Sequence, residues 1–431
     1  MAKITRKLYL LIIVLLATCI MLSSWLKINE IVSFPSDKQK AYGVGARHSH
    51  SLKSLAEVKA GGSARHQPLE QEFIEEENNM FKPCEKVTRF VMIKTEKTGS
   101  TTLFSILARF ILKNKLKVMV MTKGGHLDVT RKRGDHPGWD IGPGHPSHAD
   151  TLVHHARYNE SLLSTVIHPD AKYITLVRDA ASWLESAMRF WPGQVDHHSP
   201  DELLKNPGLF YQKRSKLKDD YNGQKTLFHL SQLQWLGFDY NKKDNVTAME
   251  EYIKYITSKF HIGFLTDQFD ASLIRLRRLF CWTHEDLLYK AQEVGGRVRP
   301  GSRDKILQPL SKKGIRELLQ PETNLGDQML YEAFNRTWWN DYSDVKDEHF
   351  WQEVEQFQIT NAIATAKCSE VMAGRIKLYT IPGNEWSSPI HLTINLCTDF
   401  SMDKLRQMHL LATYAIGERY DEYAFVRATD H

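Results

Sequence analysis

The sequence predicts an α/β fold, a P-loop-like three-layer arrangement in which helices flank both faces of a parallel β-sheet. The alternation of two kinds of segment leads to this prediction. Short apolar, β-rich runs alternate along the chain with segments whose apolar residues recur at helical spacing. In such chains the strands are buried between helices, and ligands bind where the carboxyl ends of the strands meet. These ends are therefore the expected location of a binding site.

Five strands and several helices are predicted along the chain. The strand candidates are 90–93, 117–122, 151–155, 172–177 and 261–265. Helical spacing marks 103–110, 162–167, 181–190, 271–280 and most of 311–372. A segment rich in Gly, Pro and His has too few apolar residues for a core element, so it is predicted to be a long loop: 124–148.

The polar segment between the first strand and the first helix has the composition of an anion site. It contains two lysines, five hydroxyl side chains, one carboxylate and one glycine: Lys94, Thr95, Glu96, Lys97, Thr98, Gly99, Ser100, Thr101 and Thr102. A helix N-terminus after a tight turn presents unpaired N–H groups and the positive end of the helix dipole to an anion. The lysines precede the single glycine, so this is not a Walker A loop. The alternative is an ordinary capped helix with solvated lysines.

A second polar group follows the strand at 172–177. Arg178 leaves the end of that strand, and Ser186 lies two turns into the next helix. An arginine fork together with a hydroxyl suits a terminal phosphate of a nucleotide. By itself, Arg178 next to Asp179 is equally compatible with a structural ion pair, so this hypothesis depends on the first loop.

The N-terminal segment has the pattern of an uncleaved membrane anchor. Lys3, Arg6 and Lys7 precede 8–26, which has no charged residue and would be about 30 Å long as a helix, enough to cross a bilayer. The basic residues place the tail 1–7 in the cytoplasm and the remainder in the secretory lumen. A cleaved signal peptide is the alternative, but the apolar run is long for one and lacks a clear A-x-A site.

Charge, sequons and cysteines fit a folded luminal domain. The net charge of +6 is spread along the chain and gives little support to nucleic-acid binding. Three Asn-x-Ser/Thr sequons are candidate N-glycosylation sites: Asn159, Asn245 and Asn335. Four cysteines outside the apolar span can pair in an oxidising lumen in three ways, and the sequence does not choose among them: Cys84, Cys281, Cys368 and Cys397.

These motifs resemble those of the Golgi carbohydrate sulfotransferases, and most closely those of the galactose 3-O-sulfotransferase family. K-T-x-K-T-x-S-T-T stands at 94–102, and V-R-D-x-x-x-x-x-E-S stands at 177–186. The further matches are His155-Ala-Arg157-Tyr158, Cys281-Trp282-x-x-Glu285-Asp286-Leu-Leu-Tyr289 and Phe334-Asn335-x-x-Trp338-Trp339. The likeness runs from about residue 90 to about residue 368.

The resemblance implies a domain organisation and a reaction. The expected segments are a cytoplasmic tail 1–7, a signal-anchor 8–26, a luminal stem 27–86, a sulfotransferase-type catalytic domain 87–373 and a C-terminal extension 374–431. A single-pass, type II Golgi membrane protein would transfer a sulfuryl group from 3′-phosphoadenosine 5′-phosphosulfate (PAPS) to a galactose hydroxyl, the 3-hydroxyl, of a glycolipid or glycoprotein. No metal is expected, since the histidines are irregularly spaced. A homodimer is left open.

The resemblance also implies residue roles. The loop 94–102 would grip the 5′-phosphosulfate, and Lys97 would neutralise the bridging oxygen as it leaves. Arg178 and Ser186 would hold the 3′-phosphate. Fixed cations and N–H donors aimed at a leaving phosphate lower the barrier to in-line transfer.

The acceptor base is where this sequence departs from the family pattern. Family members carry histidine where this chain has Glu96, and that histidine is their candidate base. Two neighbouring lysines would lower the pKa of a glutamate here. His155, at another strand end, is the alternative because its unperturbed pKa near ~6.5 suits proton transfer. We therefore hypothesise that His155 is the base or shares the role with Glu96; the alternative for His155 is a buried structural histidine.

Three other functions fit parts of the sequence. A sulfotransferase for uronic acid or another glycan residue is supported by the basic run 131–133. A luminal glycan-binding protein that has lost catalysis is supported by Glu96. A P-loop kinase fits least, because the chain lacks the glycine–lysine order and an obvious magnesium carboxylate.

Overall fold

A computed structural model describes residues 84–121, 139–140, 148–190, 231–292, 321–340 and 342–416, which all belong to the unit Phe81–His431. Within these residues, six strands form the main sheet and two form a separate antiparallel hairpin. The strands are β1 Phe90–Ile93, β2 Val118–Met121, β3 Trp139–Asp140, β4 Thr151–Leu152, β5 Lys172–Val177, β6 Ile262–Leu265, β7 Tyr379–Ile381 and β8 Ile390–Leu392.

The α-helices follow the strands in the alternation that the apolar spacing predicts. They are α1 Ser100–Asn114, α2 Glu160–Val166, α3 Ala180–Phe190, α4 Ser231–Trp235, α5 Val246–Lys259, α6 Phe269–Phe280, α7 His284–Leu287, α8 Pro321–Asn340, α9 Glu348–Met372, α10 Ile394–Ser401 and α11 Lys404–Ile416. Helices α6 and α8 pack against β6, and α11 packs against α1 and β2. The result is a mainly parallel sheet flanked by helices, which confirms the predicted α/β fold.

The main sheet has the strand order β3-β2-β4-β1-β5-β6. Strands β2, β4, β1, β5 and β6 are parallel, and β1 lies between β4 and β5. All four side chains of β1 are completely buried. A short apolar run without alternation is typical of a strand covered on both faces, so the burial of β1 follows from its sequence.

Two details of the sheet differ from the sequence-based expectation. Trp139–Asp140 forms an edge strand antiparallel to β2, inside the segment 124–148 that was predicted to be a loop. Two residues are too few to give a periodic signal. The predicted strand 151–155 is shorter, because β4 ends at Leu152. Residues 122–138 and 141–147 lie outside the described residues.

The carboxyl ends of four parallel strands share one edge of the sheet. The chain leaves these strands at Lys94, Val153, Arg178 and Thr266. Because β4, β1, β5 and β6 are adjacent, the segments that follow them are neighbours in space. This edge is called the rim below.

Two disulfides fix the outer parts of the domain. Cys84 pairs with Cys281 and Cys368 pairs with Cys397, which selects one of the three pairings left open by the sequence. The first joins the segment before β1 to the end of α6, and the second joins α9 to α10. Helix α11, which packs on α1, lies in the predicted C-terminal extension 374–431.

The predicted membrane span lies outside the described residues, as does the stem up to residue 83. In the part of the chain that the structure describes, no helix has the length and apolar character needed to cross a bilayer. Two sequon asparagines cap helices: Asn159 accepts from Leu162 N at the start of α2, and Asn245 accepts from Ala248 N at the start of α5. Asn335 lies within α8.

Candidate functional site

The loop between β1 and α1 turns twice into left-handed backbone. Lys97 has a φ of 56° and Gly99 a φ of 82°. Glycine adopts this conformation freely, whereas for Lys97 it costs about 1–2 kcal/mol. A strained non-glycine residue persists only when its surroundings fix it, and such residues cluster at functional sites.

Hydrogen bonds to the carbonyl groups fix this loop to the rim. Each carbonyl oxygen from Lys94 to Gly99 accepts at least one hydrogen bond. The donors are His155 Nδ1 to Lys94 O (2.8 Å), Ser100 Oγ to Thr95 O (2.5 Å), Trp183 Nε1 to Glu96 O (2.7 Å), Arg178 Nη1 to Lys97 O (3.0 Å), Thr266 Oγ1 to Thr98 O (2.8 Å) and Thr102 N to Gly99 O (3.0 Å). Three neighbouring strand ends, helix α3 and the loop itself therefore supply the donors.

The direction of these carbonyls determines the direction of the loop amides. In a trans peptide the C=O and N–H bonds point in opposite directions. The bonds to the carbonyls of Lys94, Glu96, Lys97 and Thr98 therefore turn the N–H group that follows each carbonyl away from that carbonyl's donor. Successive amides around a left-handed residue form an anion-binding concavity, and the N-terminus of the 15-residue helix α1 adds its dipole.

Most of the loop hydroxyls take part in this scaffold. Thr95 Oγ1 donates to Leu176 O (2.6 Å), Thr98 Oγ1 lies 2.9 Å from Thr95 Oγ1, and Ser100 Oγ donates to Thr95 O (2.5 Å). In the first turn of α1, Thr102 Oγ1 accepts from Gln292 N (3.1 Å). The main-chain N–H groups and the lysines are therefore the groups best placed to face an anion.

The two loop lysines have different surroundings. Lys94 is buried, with 4% of its surface exposed, and its Nζ lies 2.8 Å from His155 Nε2. Lys97 is half-buried, and its Nζ lies 3.5 Å from the centre of the Phe190 ring, at the end of α3. The face of the Phe190 ring attracts the ammonium by a cation–π interaction, so the Lys97 side chain extends toward α3.

His155 is held by Lys94 at both ring nitrogens. Its Nδ1 lies 2.8 Å from Lys94 O, which can only accept, so Nδ1 carries the proton. Its Nε2 lies 2.8 Å from Lys94 Nζ, which can only donate when charged, so Nε2 accepts. With Lys94 charged, the two contacts fit a neutral His155 ring whose Nε2 lone pair accepts from the Lys94 ammonium.

Arg178 joins the second predicted group to the first. Its guanidinium donates to Lys97 O, so the two groups named from the sequence meet on the rim. Burial lowers the pKa of Arg178, although Glu185 and Asp179 act in the opposite direction, and the side chain stays charged near neutral pH. Ser186 lies half-buried on α3, the helix that also supplies Trp183. Half-buried Glu96 stands in the loop beside both lysines.

Thr266 and Trp183 also contact the loop, although neither belongs to the two polar groups predicted from the sequence. Thr266 Oγ1 contacts Thr98 O (2.8 Å) and Val177 O (3.0 Å) and so joins the loop to β5. Its position directly after β6 is the signal that could have identified it. Trp183 is completely buried in α3, where its apolar character matches that of an ordinary core residue.

The buried His154, next to His155, should make the stability of the fold depend on pH. Burial, followed by the charges of Lys94 and Lys404, lowers the pKa of His154 from 6.5 to about 3. Because the folded pKa is below the unfolded one, the stability that His154 contributes is present above pH 6.5 and is lost as pH falls toward 3. From about pH 7.5 to about pH 5, we expect the free energy of unfolding to fall by about 2 kcal/mol more in the wild type than in His154→Leu. Urea denaturation at each pH measures this difference, and parallel pH profiles for the two proteins would contradict it.

The known proteins that this chain resembles belong to one family. The family model described as galactose-3-O-sulfotransferase matches residues 6–374, which include the whole rim. Mouse galactosylceramide sulfotransferase is 28% identical over 289 residues, covering 64% of this chain and 63% of that protein. The human galactosylceramide sulfotransferase is 27% identical over 331 residues, covering 74% and 73%. Mouse galactose-3-O-sulfotransferase 2 is 26% identical over 300 residues, covering 65% and 70%. These matches confirm the resemblance that the motifs indicated.

Proposed function

The chain belongs to the galactose-3-O-sulfotransferase family of carbohydrate sulfotransferases, and from this premise we propose that it transfers a sulfuryl group from PAPS to the 3-hydroxyl of a galactose residue. The observation that carries the proposal is the contact of Arg178 with Lys97 O, which joins two basic groups on one rim. PAPS is anionic at both ends, and two cationic groups on one rim match that charge distribution.

The residues of the rim fit the two ends of this donor. The amides of 95–100 and the dipole of α1 suit the 5′-phosphosulfate, and Lys97 adds a positive charge there. Arg178, with a guanidinium that is always charged, suits the 3′-phosphate that distinguishes PAPS from ATP. Ser186, two turns along α3, is proposed to add a hydroxyl to that phosphate.

In the proposed step, the acceptor oxygen bonds to sulfur while the bond from sulfur to the bridging phosphate oxygen breaks. The leaving phosphate keeps the electron pair of that bond, and the proton of the acceptor hydroxyl passes to a base. Lys97 and the loop amides stabilise the charge that develops on the leaving oxygen. Because these groups are already fixed by the rim, they do not reorganise during the reaction.

We assign the base to His155, alone or shared with Glu96. The lone pair of His155 Nε2 is bound by the Lys94 ammonium at 2.8 Å. An anionic donor competes for that ammonium, and when Lys94 turns to the phosphosulfate it releases Nε2 to accept the proton. The hydrogen bond from Nδ1 to Lys94 O keeps the ring in the tautomer that a base requires.

The test of this assignment is a pair of variants. His155→Ala should lower kcat by a factor of about 10²–10⁴, since a general base contributes that much. Glu96→Gln keeps the shape of the side chain and should retain most of the turnover. Initial rates with saturating PAPS and acceptor measure both. If His155→Ala kept most turnover and Glu96→Gln abolished it, the base would be Glu96.

The acceptor is proposed from the relatives. One relative is named for galactosylceramide, which is a glycolipid, and another for galactose, a sugar found on both glycolipids and glycoproteins. We propose a galactosyl glycolipid or glycoprotein as acceptor for this chain.

The cellular location is proposed from the N-terminal pattern. Residues 8–26 would hold the protein in the Golgi membrane, with the catalytic domain in the lumen and N-glycans at the three sequons. Two disulfides in the described part of the chain support an oxidising compartment, because such bonds are rare in the cytosol.

The activity is tested by incubating the full chain with radiolabelled PAPS and a panel of acceptors. We expect labelling of terminal β-galactosides and none of the matched 3-deoxygalactosides. Labelling of uronic-acid polymers alone would favour a sulfotransferase of another acceptor class. Binding of 3′-phosphoadenosine 5′-phosphate (PAP) without transfer to any sugar would favour a glycan-binding protein that has lost catalysis.

A further inference from the structure

Gln232 binds the main chain of Arg178 and is not itself part of the rim. Gln232 is completely buried on α4. Its Oε1 accepts from Arg178 N (2.8 Å), and its Nε2 donates to Arg178 O (2.9 Å). One side-chain amide thus satisfies both main-chain polar groups of Arg178.

Gln232 is itself fixed by Asp327 from helix α8. The Asp327 carboxylate is completely buried. Its Oδ2 accepts from Gln232 N (3.1 Å), and its Oδ1 accepts from Leu233 N (2.9 Å). A carboxylate that accepts the first N–H groups of a short helix fixes where that helix begins. A chain of hydrogen bonds therefore runs from α8 through α4 to Arg178.

The position of Arg178 explains why such support matters. Arg178 lies between the end of β5 at Val177 and the start of α3 at Ala180, so neither element fixes its backbone fully. The guanidinium is several bonds from the Cα atom, and a small rotation of the backbone moves it by an ångström or more. A displacement of about 1 Å in a positioning group can cost about 10²-fold in function.

We propose that Gln232, fixed by Asp327, is a positioning residue that aims Arg178 at the 3′-phosphate of the nucleotide and so sets the preference for 3′-phosphorylated ligands. This inference rests on the proposed function, because it assumes the role of Arg178 there. Gln232 contacts neither the sulfuryl donor nor the acceptor sugar and acts through Arg178. A residue that only filled space would affect the binding of all nucleotides alike.

The test compares PAP with adenosine 5′-monophosphate (AMP), which lacks only the 3′-phosphate, by calorimetric titration of the full chain. Gln232→Met keeps the volume and removes both hydrogen bonds. We expect it to weaken PAP binding about tenfold and to change AMP binding less than about twofold. Asp327→Ala should act in the same direction, and Asp327→Asn, which keeps one acceptor, should lie between Asp327→Ala and the wild type.

Ser231→Ala is the matched control. Ser231 precedes Gln232 on the same short helix, and its buried Oγ has no hydrogen-bond partner among the described residues. We expect its affinities to equal those of the wild type. Gln232→Glu, an isosteric variant that keeps the acceptor for Arg178 N, replaces Gln232→Met if the latter does not fold, and its expected loss is selective for PAP as well.

The pattern of affinity losses tests the positioning role of Gln232. A loss confined to PAP supports this role. An equal loss for PAP and AMP, or no loss in either Gln232 variant, overturns it and leaves the proposed function intact. If the wild type itself binds PAP no better than AMP, the proposed role of Arg178 fails, and the inference fails with it.

Discussion

Lys97→Ala should lower kcat by a factor of about 10²–10³, because it removes a fixed charge from the leaving oxygen. The structure gives the reason for this magnitude. Lys97 has a left-handed backbone conformation, and Arg178 fixes it by donating to Lys97 O. The Lys97 ammonium lies over the Phe190 ring, 3.5 Å from the ring centre. Such a group needs no reorganisation in the transition state, so its removal is costly. Initial rates at saturating PAPS measure the effect.

Lys115→Ala is the matched control for this variant. Lys115 also has a left-handed backbone, with a φ of 54°, but it lies exposed at the C-terminal end of α1. Alanine therefore meets the same backbone strain at both positions, while only Lys97 faces the rim. We expect unchanged kcat in Lys115→Ala. Equal rates in the two variants would show that Lys97 has no part in the transfer.

Arg178→Ala should weaken the binding of PAP about 100-fold, since it removes charge-assisted hydrogen bonds to the 3′-phosphate. It also removes the donor to Lys97 O, so the loop that faces the 5′ end loses one of its fixed points. The loss should therefore be larger for PAP than for AMP but present for both. Calorimetric titration of each ligand measures the two losses.

Arg89→Ala is the control at the opposite end of the sheet. Arg89 precedes β1, and its guanidinium pairs with Asp170 at 2.7 Å and lies 3.5 Å from Asp150. It has the same charge as Arg178 but stands at the amino ends of the strands. We expect unchanged affinity for PAP there. An equal loss in both variants would mean that overall charge, rather than the rim, determines nucleotide binding.

The parallel strands of the sheet and the polar loop could be predicted from the sequence because both carry local signals. The buried strand at 90–93 has an uninterrupted apolar run, and the polar loop after it has a composition that few segments share. The order of Arg178 after a later strand then placed it on the same edge, because parallel strands end together. Local pattern and topology were therefore enough to predict that the loop and Arg178 lie on the same edge of the sheet.

The support behind the site could not be predicted in this way. Gln232 and Arg178 are 54 positions apart, and Asp327 and Gln232 are 95 positions apart, so no spacing rule connects them. A buried glutamine in a short helix has no local pattern that separates it from any other polar residue. The pairing of the cysteines was open for the same reason, since it depends on where α9 and α10 meet.

A crystal structure of the protein with PAP tests the central claim most directly. We expect the 5′-phosphate to lie within hydrogen-bonding distance of the amides at the start of α1 and the 3′-phosphate to pair with Arg178. The cleft of about 610 Å³ between α5 and α8, lined by Glu250, Lys254, Glu332 and Arg336 among others, should stay empty. Nucleotide bound in that cleft, or bound at the rim with its 3′-phosphate away from Arg178, would contradict the account.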